Sequence, residues 1–103
     1  MRILIEFYHK NILDNMVAVL GAQPDIVMFY FDPVYFTHTA VYNTYLACRR
    51  YIPRLKLELG TCDSTDFWAL EDKLSRYIRE NAKDEIFIDL TGSNDLAAVA
   101  SYS

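Results

Sequence analysis

Near its C-terminal end the chain carries Thr91-Gly92-Ser93-Asn94, directly after the apolar run Ile86-Phe87-Ile88-Asp89-Leu90 and just before the small apolar residues of 96–100. A strand that breaks at such a turn and re-enters as a helix aims several backbone N–H groups at one spot. That geometry suits an anion, usually a phosphate. A second polar cluster, Tyr8-His9-Lys10-Asn11, follows the first apolar run. Lys10 supplies a positive charge there, Tyr8 a ring on which a base can stack, and Asn11 a helix cap. Neither cluster brings a strong general base, so the chemistry expected is binding rather than catalysis.

These clusters need elements to hold them. Residues 3–7 and 26–31 are nearly continuous apolar runs, the pattern of strands buried on both faces. Residues 55–59, Leu-Lys-Leu-Glu-Leu, alternate strictly, as a half-exposed strand does. Residues 86–90 form a fourth run. Between them lie helical patterns. Asn11 caps the first, Ile12, Leu13, Met16, Val17 and Leu20 share a face, and Gly21 is placed to stop it. The second covers 37–51, with Arg49 and Arg50 in its last turn and Pro53 beyond. Gly60 to Asp63 read as a turn, and Ser64 as the cap of a third helix with an apolar stripe at Phe67, Leu70, Leu74, Tyr77 and Ile78. Asp72 and Arg76 are spaced to pair on its outside.

Strands alternating with helices predict an α/β fold, a Rossmann-like three-layer sandwich around a parallel sheet. The two fully apolar strands belong in its centre and the alternating one at an edge. The order 3-2-1-4 satisfies this. In that order the winding reverses between strands 1 and 4, and ligands of open α/β sheets bind at this switch point. The loops that meet there are 8–11 and 90–94, so topology places both polar clusters together. Strand 4 is then an edge although it reads as interior. The expectation is a single domain over 1–103 that is the N-terminal part of a longer protein.

A net charge of −4 argues against broad binding of duplex nucleic acid, which needs a basic surface. It leaves room for a small nucleotide held by backbone amides. Cys48 and Cys62 have no metal-site or disulfide spacing and read as buried thiols of a reduced, cytoplasmic protein. No cofactor motif is written, and no stretch has the length of a membrane span. Tyr30, Phe31, Tyr35, Phe36, Tyr42 and Tyr45 are dense enough to supply both core and a homodimer surface.

The run from Ile86 to Ala100, centred on Leu90-Thr91-Gly92-Ser93, resembles the hallmark of the CARF domain, the CRISPR-associated Rossmann fold. Ile3-Leu4-Ile5-Glu6-Phe7-Tyr8 looks like that family's first strand. The likeness is greatest to the sensor half of the CRISPR ancillary nucleases. Ser93 stands where the family has a second glycine, and Asp95 where a basic residue often follows. The resemblance implies a domain that binds a cyclic oligoadenylate, the messenger of type III CRISPR defence, across a two-fold dimer interface and regulates an effector domain. The ligand-binding residues would be Tyr8, His9, Lys10, Asn11, Thr91, Gly92, Ser93 and Asn94. A ring nuclease that slowly cleaves the messenger, with Lys10 and Ser93 stabilising charge, is the enzymatic alternative. A dimerisation module with no nucleotide role is the other.

Overall fold

The computed structural model describes residues 1–89, so Leu90 and the turn Thr91-Gly92-Ser93-Asn94 lie outside the described residues. The element order is β1 (Arg2–Phe7), α1 (Ile12–Ala22), β2 (Ile26–Phe31), α2 (His38–Arg49), β3 (Lys56–Thr61), α3 (Phe67–Glu80) and β4 (Glu85–Asp89). The strands form one parallel sheet in the order β3-β2-β1-β4. This is the predicted Rossmann-like arrangement.

The sheet has a core on each face because alternate residues of β1 and β2 point opposite ways. Leu4, Val27, Phe29 and Phe31 pack with Val19 of α1 and Val41, Tyr45 and Cys48 of α2. On the other face Ile5, Phe7, Met28 and Tyr30 pack under Leu70 and Leu74 of α3. Burial on both faces explains why β1 and β2 carry no alternation. In β3, Leu57 and Leu59 join the α1/α2 core, while Glu58 and Gly60 stand beside Met28 and Tyr30 on the α3 face. Tyr77 of α3 donates a 2.8 Å hydrogen bond to Glu58. Burial, then this bond, pushes the Tyr77 phenol up. The Asp72–Arg76 pair forms on α3 at 2.5 Å, with both groups exposed.

Several boundaries differ from expectation. Helix α1 runs past Gly21 to Ala22, and Gln23 takes the left-handed cap at φ 49° while its N–H bonds to Val19 O. Helix α2 is shorter than 37–51, because Thr37 serves as the cap and residue 50 already stands outside. Strand β3 continues through Gly60 and Thr61 rather than turning there. Ser64 does not cap α3. Its N–H and hydroxyl both bond to Asp32 Oδ2, at 3.0 and 2.8 Å, and Asp66 caps instead, through Ala69 N.

Candidate functional site

Helix α1 leaves β1 over one face, and α3 reaches the neighbouring β4 from the other. This is the switch point. Glu6 and Asp89 are register partners across it. Strands β1 and β4 therefore reach the same level side by side at Glu6 and Asp89, about 4.8 Å apart.

The first loop is fixed by a side chain that the sequence did not single out. Asn15, fully buried on α1, accepts from His9 N at 3.0 Å and donates to His9 O at 2.6 Å. Asn11 caps α1 as predicted, its Oδ1 accepting from Leu13 N and Asp14 N. The Leu13 and Asp14 amides at the start of α1 are thus taken, and Asp14 adds a negative charge beside them. His9 Nδ1 accepts a 3.1 Å bond from Asn11 N. That nitrogen holds its lone pair outward, so its 3.9 Å approach to Asp14 is no ion pair. Lys10 is exposed at the loop's tip.

Tyr8 does not offer its ring to a ligand. It is buried, edge-on to Phe29 and Phe36 at 5.7 and 5.0 Å, and its hydroxyl shares a 2.7 Å bond with Thr44 Oγ1. The ring suited to a base also fills the gap between β1 and α2, and packing takes it. Of the eight predicted ligand residues the structure thus gathers His9, Lys10 and Asn11 at the loop, moves Tyr8 into the core, and leaves 91–94 outside the described residues.

Beneath the loop lies Glu6, a carboxyl group in an otherwise apolar interior. It is 1% exposed. Burial first, then the hydrogen bond it donates to Asp89 and the Asp89 charge, raise it to about 10, so it is neutral at ordinary pH. A carboxylate within a strand apolar on both faces, in register with a second one ending β4, was the available signal.

A cleft of about 590 Å³ opens at the carboxyl ends of β2 and β3, lined by Asp32, Tyr35, Cys62, Asp63 and Lys73 among others. Bonds from Ser64 N and Val34 N hold the Asp32 carboxyl below its usual range. Lys73 donates to Thr61 O. Two carboxylates against one committed ammonium do not suit an anion, and the groups there already satisfy one another. Burial raises the thiols of Cys48 and Cys62 to about 11, which suits inert core cysteines. Among the described residues no group of three His, Cys, Asp or Glu side chains is placed to hold a metal.

The architecture has a solved counterpart. Over 99% of its length the chain superposes on Can2 from Sulfobacillus thermosulfidooxidans, determined in complex with cyclic tetra-adenylate, with a TM-score of 0.82 at 14% identity. The fold is one that Can2 contains. The chain spans 28% of the length of Can2. At this identity the likeness to Can2 speaks for the fold alone, a Rossmann-like α/β arrangement. No protein-family model matches the chain, and no curated protein does. No helix among the described residues is long and apolar enough to cross a membrane.

Proposed function

We propose that the chain is a sensor domain that binds a cyclic oligoadenylate at the switch point between β1 and β4. It does so as a two-fold dimer in type III CRISPR signalling and regulates an effector domain outside this chain. The observation that carries the reading is the fold match along nearly the whole chain to a protein solved with cyclic tetra-adenylate. The Leu90-Thr91-Gly92-Ser93 motif, which follows Asp89 at that switch point, supports it from the sequence side. Lys10 supplies the positive charge and the amides of 91–94 receive phosphate oxygens.

The test is a thermal melt of the full chain with cyclic tetra- or hexa-adenylate. A ligand at a hundred times its Kd stabilises a folded domain by about 2.7 kcal/mol, which at this size raises Tm by about ten degrees or more. Lys10→Ala should weaken that shift while leaving the ligand-free Tm unchanged. A folded chain whose Tm neither ring moves at millimolar concentration rejects the sensor reading.

A further inference from the structure

At the carboxyl ends of β1 and β4 two carboxyl groups stand side by side. Register partners on adjacent strands point to the same face of the sheet, and Glu6 and Asp89 are such partners. Glu6 is buried and shares a hydrogen bond with Asp89, while its Oε2 has no hydrogen-bond partner among the described residues. Two ionised carboxylates do not coexist cheaply in such a place. Glu6 is removed from water, and the half-buried Asp89 beside it drives it toward its neutral form.

We propose that Glu6 and Asp89 share a single proton at neutral pH, so that the switch point carries one negative charge rather than two, that the need to keep this proton costs the fold stability as pH rises, and that its loss at high pH weakens the hold on an anion. The anion half rests on the reading of the chain as a nucleotide sensor. The proton half does not.

Among the described residues, no group that faces Glu6 neutralises it. Strand β2 presents Phe29 in register beside Glu6. Helix α1 contributes Asp14, which is exposed, and Asn15, whose amide is committed to His9. The loop between them contributes His9, whose Nδ1 is occupied by Asn11 N–H. From α2 comes the Cys48 thiol, raised first by burial and then by Glu6 itself. Both charges that act on Glu6, those of Asp89 and Asp14, are negative.

The sign follows from linkage. An unfolded Glu6 loses its proton near 4.5, and the folded one keeps it to about 10. Between those values the folded state binds the extra proton, so stability falls as pH rises through the window and the penalty is absent below it. A phosphate arriving at a doubly charged pair meets more repulsion than at a singly charged one, so affinity falls in the same direction.

The experiment is denaturant unfolding of the full chain and of Glu6→Gln across a pH series. Glutamine keeps the size and a donor toward Asp89 but has no proton to lose. From about pH 5 to about pH 9 the wild-type ratio of folded to unfolded chain should fall about tenfold per pH unit relative to that of Glu6→Gln. Parallel profiles overturn the proposal. If Glu6→Gln does not fold, a carbon-13 titration of the Glu6 carboxyl in the wild-type chain reads the same proton. A midpoint above about pH 7 supports the shared proton, and one near the ordinary 4.5 overturns it. Cyclic tetra-adenylate affinity should fall more steeply with pH in the wild type than in Glu6→Gln, and equal slopes reject the anion half. A chain that binds neither cyclic tetra- nor hexa-adenylate at any pH but keeps the raised Glu6 midpoint rejects the sensor reading and supports the shared proton.

Discussion

Asn15 holds the first loop through two hydrogen bonds to the backbone of one residue, His9. Truncating it to alanine leaves a partly buried N–H and C=O without their partner, and each such group costs about 1–3 kcal/mol. Asn15→Ala should therefore lower the unfolding free energy in urea by at least about 1 kcal/mol and loosen the loop that carries Lys10. Amide exchange at His9 and Lys10 should quicken more than exchange in β2. If His9 exchanges at the wild-type rate, Asn15 does not hold the loop. Single residues were the least legible part of the sequence. Tyr8 reads as a ligand contact because an amphipathic ring suits a base and a core equally, and only the distances to Phe29 and Phe36 decide between them. Asn15 gave no signal, since an asparagine inside a helical pattern reads as solvated unless its buried neighbours are known.

At the scale of elements, types were legible and ends were not. Binary pattern marks where a strand or helix must be, because burial of a face dominates its stability. Ends depend on which nearby group wins a side chain. Asp32, a residue from the previous crossover, takes both Ser64 donors, and Asp66 caps α3 instead. Gly60 reads as a turn signal, yet it lies within β3, where a methyl group would sit 2.6 Å from Met28 Cε and 2.8 Å from the Tyr30 ring. That ring is held by Phe7 on one side and Tyr77 on the other. Gly60→Ala should accordingly destabilise by about 1–3 kcal/mol, as overpacking does. Gly21 provides the contrast. It lies in α1 with nothing within 4 Å of an added methyl, so Gly21→Ala should stabilise by about 0.5–1 kcal/mol. Urea midpoints of the two variants should move in opposite directions, and a neutral Gly60→Ala would show that Tyr30 yields at no cost.

At the scale of the whole molecule, the sheet order was legible because polarity sorts strands by depth. Two runs without a charged face had to be central, and Lys56 and Glu58 required an edge. The same logic, applied to α1, points outward. A helix apolar all round is normally buried, and α1 carries Asp14 as its sole charge. Its inner face packs on the core through Val19, Met16 and Ala18. Its outer face exposes Leu13 at 70% and Val17 at 67%, one turn apart. A two-fold dimer brings the same patch of each copy to one interface, and such a stripe is self-complementary where a charged one is not. Leu13→Glu with Val17→Lys keeps the helix, because Glu and Lys at i, i+4 attract, while removing two apolar anchors from each copy. Burying a side chain of this kind is worth about 1.5–3 kcal/mol, so the pair should weaken self-association by at least about a hundredfold. Sedimentation equilibrium should find a wild-type dimer and a folded monomeric variant. A wild-type chain that stays monomeric at hundred-micromolar concentration sinks the assignment of this face, and with it the two-fold geometry expected of the ligand site.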